Sequence, residues 1–374
     1  MKIPPAKPWF PQEDLTKILA DIKSVMESGM LTLHKVTKQF ESKYAEYCGT
    51  KYAIAVNSGT SALEISLRSL KIESGDEVIV PTNTFIATPN SVIFATGKPV
   101  FADIDRKTLC LDPEDLKEHI TPKTKGVIIV HIGGLITPNI KAIQEICEDH
   151  SLFLIEDAAH AQGSEFNGKK AGTFGVMAGF SFYPTKVMTS AEGGVITTNV
   201  EEYTNFSRTL RDQGKSGFLS GEIVELGYNW RMSEVHAVIA LYQLNRLEEF
   251  ISNREKIAKI YDSELSKIKE ITPLEIPKIC RSNFYKYIAF IDDSIDKEKF
   301  KKGLKENFTV SLSGGVYDIP CHLQPLYKKL YDYSEGMLPV AEKILPKHFC
   351  LPVYSDMTEE NANYVTNSIR KVIG

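Results

Sequence analysis

The chain has 374 residues, with 44 Lys and Arg against 48 Asp and Glu and a formal net charge of −4, so it is longer than one growing hydrophobic core supports, and a large domain with a smaller one is expected. Its nearly balanced charge, with no long basic run, excludes a polyanion footprint and therefore nucleic acid as a partner. No apolar run nears the roughly 18 residues of a membrane span, and Met1-Lys2-Ile3-Pro4-Pro5 lacks the apolar stretch of an export signal.

Six cysteines, Cys48, Cys110, Cys147, Cys280, Cys321 and Cys350, are scattered without a CxxC pair. They read as reduced thiols of a cytoplasmic protein, and no metal site is expected.

In chain order, Leu15, Ile18, Leu19, Ile22, Val25 and Met26 recur at helical spacing and stop at Gly29; a second helix, Val36 to Tyr47, stops at Gly49. From Tyr52 short apolar runs alternate with helical ones: Tyr52 to Val56, Glu77 to Val80, Pro99 to Ile104, Gly126 to Val130, Leu152 to Ile155 and Gly179 to Phe182. Runs apolar on both faces and separated by helices predict an α/β domain with a mostly parallel sheet. Asp112 and Pro113 open a further helix as cap and first residue. Gly194 to Thr198 is another strand, its direction open. Ser233 to Leu247 and Leu247 to about Ile268 read as two long helices, with a domain boundary near residue 245. A large domain, 1–245, and a small α+β domain, 246–374, are expected; the latter holds a strand at Phe284 to Ile291, a helix at Lys297 to Glu306 and a last helix from Thr358 to Val372.

Three pieces carry chemistry. Val56-Asn57-Ser58-Gly59-Thr60-Ser61 is a strand running into a glycine turn and a helix. Its N–H groups, with the hydroxyls of Thr60 and Ser61, suit an anion such as phosphate. Leu152 to Asp157 is an apolar strand that delivers a carboxylate to its C-terminal end, where open α/β sheets bind ligands. A strand-end aspartate also serves Mg²⁺, but no second acidic cluster accompanies it. Gly163 to Lys170 nearly matches a Walker A loop, lacks the final Ser or Thr, and reads instead as a turn between short strands. The third piece is Lys186, in Ser181-Phe182-Tyr183-Pro184-Thr185-Lys186 before Glu192-Gly193-Gly194. A lysine able to form a Schiff base, with an aspartate to hold a pyridinium nitrogen, implies pyridoxal phosphate.

With Pro81-Thr82-Asn83-Thr84-Phe85, Glu156-Asp157-Ala158-Ala159-His160 and Gly227-Tyr228-Asn229-Trp230-Arg231-Met232, these segments resemble the DegT/DnrJ/EryC1/StrS sugar aminotransferase family from about Phe10 to the last helix. The resemblance implies a fold type I pyridoxal phosphate enzyme with Lys186 as the Schiff-base residue and Asp157 as the pyridinium partner. It further implies Phe85 and Ala159 on the two ring faces and Ser181 joining Gly59, Thr60 and Ser61 at the phosphate; His160 and Gln162, next to Asp157, are candidates to hydrogen-bond the cofactor's phenolic oxygen or the Asp157 carboxylate. His131 is a further candidate for the pocket. Asn229 would reach the phosphate of a neighbouring subunit, so a homodimer with shared active sites is implied. Arg231 would take the carboxylate of the amino donor, glutamate being expected, while Tyr317 and His322 lie in the loop that reaches the acceptor. Many members carry another aromatic or histidine before that tyrosine and a proline after it, where this chain has Val316 and Asp318.

The expected reaction is transamination onto a keto group of a nucleotide-linked sugar, in amino-sugar or surface-polysaccharide biosynthesis. A small phosphorylated ketone or a cyclitol is the alternative acceptor. Sugar dehydratases of the family carry histidine in place of the lysine, so Lys186 argues against that activity, and the intact cofactor residues argue against a non-catalytic regulator.

Overall fold

The computed structural model describes residues 1–217 and 221–374. Its apolar runs become β1 (Tyr52–Val56), β2 (Glu77–Pro81), β3 (Lys98–Ala102), β4 (Thr124–Val130) and β5 (Phe153–Asp157). A hairpin of β6 (Glu165–Phe166) and β7 (Lys169–Lys170) follows, then β8 (Met177–Ser181) and β9 (Gly194–Thr198). The segment resembling a Walker A loop is this hairpin, so it opens no helix.

One seven-stranded sheet has the order β1-β9-β8-β5-β4-β2-β3. The pairings from β8 across to β3 are parallel, while β9 runs antiparallel to both β1 and β8, which supplies the direction the sequence left open. Consecutive residues Val78, Ile79 and Val80, and Val127, Ile128 and Ile129, are all fully buried. Both faces of the sheet are therefore covered, as parallel strands require. Ile79, Val127 and Ile129 join one core with Phe40 and Leu247, and Val78, Val80 and Ile128 join another with Leu63 and Leu67.

Helices α1 (Gln12–Ser28) and α2 (Lys35–Cys48) end where expected, Gly29 and Gly49 adopting the left-handed conformation that closes a helix. Helix α3 (Gly59–Ser69) is capped by the Ser58 hydroxyl, which accepts from Ser61 N–H. The two long helices expected after Ser233 form a single helix, Glu234–Leu265. No proline or glycine interrupts that stretch, so nothing removes a hydrogen bond or frees the backbone at Leu247. Residue 245 falls inside it.

Beyond the helix, β10 (Ile271–Pro273), β12 (Tyr287–Ile291) and β13 (His348–Leu351) form a three-stranded antiparallel sheet, and β11 (Cys280–Arg281) pairs with β6. A separate core gathers Ile257, Tyr261, Tyr287, Phe300, Phe349 and Ile369, and Ile3 from the start of the chain packs into it. The last helix, Glu359–Ile373, begins with a reciprocal cap between Thr358 and Asn361.

β1, β5 and β8 point the same way, so Ser58, Asp157 and Ser181 emerge at one edge of the sheet. Strands inserted between β1 and β2 split the sheet order there, the place where open α/β sheets leave a ligand crevice.

Candidate active site

A cavity of about 460 Å³ opens at that edge, lined among others by Ser58, Gly59, Thr60, Phe85, Asp157, Ala159, His160, Ser181, Lys186 and Tyr317. Seven of the sequence candidates for the cofactor, Tyr317 from the acceptor loop and the lysine thus come together from five separate segments. A larger cleft of about 710 Å³ near α2 contains none of them, and its Arg211 is spent on Glu41 and the Ala55 carbonyl.

The anion end is built by close approach. A Cβ on Gly59 would stand 2.8 Å from Ser181 Cβ, and one on Gly194 would stand 2.4 Å from the Ser58 carbonyl oxygen. Only glycine lets β8, β9 and the loop before α3 meet there. Among the described residues the N–H groups of Gly59 and Thr60 have no backbone or side-chain acceptor. They face outward at the positive end of α3, ready for an anion. Ser61 is placed otherwise: its hydroxyl donates to Asn57 Oδ1 at 2.6 Å and meets Ser58 Oγ at 2.8 Å, inside the helix cap. Capping, not ligand contact, occupies it.

Asp157 is buried, its Oδ2 accepting from Thr88 Oγ1 at 2.6 Å and its Oδ1 from Ala159 N–H at 3.2 Å. Burial raises its pKa against those hydrogen bonds. A carboxylate desolvated in this way gains most from a cationic partner. Burial also pushes the Lys186 amine down to about 8, with Asp157 opposing the shift. Lys186 Nζ lies 4.8 Å from the centre of the Tyr285 ring, whose hydroxyl is 3.1 Å from Thr185 Oγ1.

His160 Nδ1 accepts from Gly133 N–H at 3.3 Å, so the neutral ring carries its proton on Nε2, which faces the Tyr317 hydroxyl at 3.4 Å. Burial, then the charges of Lys186 and Lys286, hold its pKa well below the usual histidine range. Tyr317 lies nearly parallel to Phe85, ring centres 6.1 Å apart, and Phe85 is 54% exposed. An exposed aromatic face at a cavity wall is free to take a flat ligand.

Three candidates stand elsewhere. His322 is a correction: it is fully buried, with Nδ1 at 2.7 Å from Thr82 Oγ1 and Nε2 at 3.1 Å from Glu342, so neither nitrogen is left for a substrate. Arg231 is outside the cavity in an ion pair with Asp212. Asn229 is exposed on the surface of this chain, its carbonyl accepting from Asn57 Nδ2 at 3.3 Å. Gln162 donates to the Ser181 carbonyl at 2.6 Å, and His131 is fully buried with Nε2 on Glu156 at 2.9 Å. Both support the strand ends from behind.

The sequence reading missed Tyr285, Lys286 and Ser313, which also line the cavity. It also missed Ala191, a non-glycine residue at φ 68 next to the lining residue Glu192. An alanine held left-handed costs about 1–2 kcal/mol, of which glycine's greater unfolded freedom takes back about 0.4–1 kcal/mol. Ala191→Gly is therefore expected to stabilise the protein by roughly 0.5–1 kcal/mol on the same figures. The shift of the denaturant midpoint checks this; a fall in the midpoint contradicts it.

The free N–H pair, the buried carboxylate with no ion-pair partner among the described residues and the lysine with a lowered pKa are what a phosphorylated pyridine aldehyde requires. Residues 12–370 match the DegT/DnrJ/EryC1/StrS aminotransferase family. The chain belongs to that family. This protein is an aminotransferase that uses pyridoxal phosphate. It is 34% identical to the GDP-perosamine synthase of Caulobacter vibrioides, over 90% of this chain and 89% of that one. It is 33% identical to the spore coat polysaccharide biosynthesis protein SpsC of Bacillus subtilis, over 95% and 94%. Among solved structures, Helicobacter pylori PseC, an aminotransferase involved in the biosynthesis of pseudoaminic acid, superposes with a TM-score of 0.92 at 28% identity, covering 100% of this chain and 99% of that one. The family fold is thus present from end to end.

No helix among the described residues is long and apolar enough to cross a membrane. All six cysteines are free thiols, five of them buried.

Proposed function

We propose that the protein moves an amino group from an amino acid, L-glutamate, to a keto group on a nucleotide-linked sugar, working in the cytoplasm as a homodimer. The observation that carries the proposal is a lysine with its amine lowered to about 8 in the same buried cavity as Asp157. When bound, pyridoxal phosphate supplies an aldehyde that accepts the amino group and a ring that draws electrons from the carbon losing its proton.

In this reading Lys186 Nζ anchors the cofactor and, once displaced by substrate, takes and returns the proton at the reacting carbon. A pKa of about 8 suits both tasks near neutral pH. Asp157 holds the ring nitrogen protonated. Gly59 and Thr60 N–H, with the hydroxyls of Thr60 and Ser181, take the phosphate, while Ser61 holds the helix cap. Phe85 and Ala159, which line the cavity, would flank the ring. His160 and Tyr317 wall the acceptor side and exclude water.

Asn229 sits on a segment whose Ile223, Leu226 and Tyr228 are exposed, at 66%, 76% and 53%. That apolar surface fits burial against a second copy, which would bring Asn229 to the partner's phosphate end. The proposed domains, 1–245 and 246–374, then contribute the cofactor wall and the wall of Tyr285, Lys286 and Tyr317 respectively.

The test is optical. Purified protein loaded with cofactor is expected to be yellow, to bleach with L-glutamate and to regain its colour with a keto-sugar nucleotide. Colour that returns only with a small phosphorylated ketone or a cyclitol ketone would move the acceptor; colour indifferent to every amino acid would defeat the proposal.

A further inference from the structure

The reaction proposed above brings anions into the cavity: the donor carries carboxylates, and the acceptor carries phosphates. Arg231, the cation expected to meet the donor, is paired with Asp212 and lies outside the cavity of its own chain. The lysine and arginine side chains that line the cavity are Lys186 and Lys286 alone among the described residues. Lys186 is committed to the cofactor.

Lys286 is placed with precision. Its N–H donates to the Gly133 carbonyl at 3.0 Å, and Gly133 N–H in turn donates to His160 Nδ1 at 3.3 Å. The lysine backbone is therefore tied to the same loop that orients a wall of the cofactor pocket. Its Nζ lies 5.2 Å from the centre of the Tyr285 ring and 3.3 Å from Ser313 Oγ. Among the described residues no carboxylate pairs with it. An ammonium has three donors, and one weak contact to a hydroxyl leaves two without an acceptor among the described residues. The Tyr285 ring that both lysines approach favours a cation but supplies no counterion.

We infer that Lys286 is a substrate-anion-binding residue of the active site, receiving a carboxylate of the amino donor or a phosphate of the acceptor. This inference rests on the transaminase reading. It names a substrate contact supplied by a residue far in sequence from the cofactor motifs.

The experiment compares wild type, Lys286→Gln and Lys286→Arg as cofactor-loaded proteins. Each is titrated with L-glutamate, following loss of colour, and each is then tested for inhibition of that step by GDP and by UDP. A charge-assisted contact predicts a weakening of roughly tenfold to a hundredfold in Lys286→Gln, with Lys286→Arg recovering most of it. A shift in the glutamate half-saturation alone assigns the donor carboxylate, and a shift in nucleotide inhibition alone assigns the acceptor phosphate. Constants within twofold for all three anions overturn the inference, as does a wild type that responds to none of them. A wild type without colour sinks the transaminase reading instead, so the two failures are told apart.

Discussion

Lys186→Ala is expected to abolish the visible colour of the cofactor-loaded protein and to lower turnover by at least about 10⁴-fold, the upper range for loss of a positioned proton-transfer group. The reason is that the cavity offers no substitute. Lys286 is a separate residue whose backbone is tied to Gly133 and whose amine rests against Ser313, and His160 is neutral, its pKa pushed well below the usual range. Methylamine added to the variant would restore part of the proton transfer without restoring the covalent anchor. Absorbance spectra and single-turnover rates separate the two. A variant that retained both colour and turnover would remove Lys186 from the mechanism.

The same residue sets a pH dependence. Burial penalises its charged form, so the folded pKa, about 8, lies below the ordinary value of 10.5. The neutral amine is the nucleophile. Capture of added pyridoxal phosphate by stripped protein is therefore expected to rise about tenfold per pH unit below the folded pKa and to level off above it.

The cofactor side of the site was legible in the sequence because local rules write it. A buried strand ending in a carboxylate, a glycine turn opening a helix and a lysine among close-packed residues each occupy one short segment, and the parallel sheet brings their ends to one edge. Ser61 and His322 misled for a physical reason: a hydroxyl beside an anion loop is equally a cap, and a histidine in a substrate loop is equally a buried strut. Asn57 and Glu342 decide those roles, and neither pairing shows in a local pattern. Arg231 likewise depended on Asp212 across a loop. Tyr285 and Lys286 reach the cavity as the residues leading into β12, far along the chain from the cofactor motifs, which no spacing announces. Two helices meeting at Leu247, and the boundary near residue 245 that follows from them, give way to one continuous helix, Glu234–Leu265, because the residues themselves offer no break.

Asp157→Asn separates function from stability most cleanly. The amide keeps the shape, and its oxygen can still accept from Ala159 N–H while its nitrogen donates to Thr88 Oγ1, whose own proton can turn to Thr84 Oγ1, 2.6 Å away. What is lost is the negative charge. In the cofactor-free protein that charge is a cost, because burial raises the folded pKa above the ordinary 3.8. The sign follows: an acid whose pKa is raised on folding loses stability as pH rises through the folded value, so at neutral pH the carboxylate weakens the fold and the amide does not. In the loaded protein the charge holds the ring nitrogen protonated, an electrostatic contribution of the kind whose removal costs on the order of 10²- to 10³-fold in rate. Turnover is therefore expected to fall by at least that much, while the melting temperature of the cofactor-free variant stays level or rises. A melting temperature that falls along with activity would make Asp157 a structural residue. Unchanged turnover would leave the burial of this carboxylate without a use. The expected pair of results, slower chemistry on a firmer fold, would show that the strain of burying Asp157 is kept because the cofactor nitrogen needs an ion there.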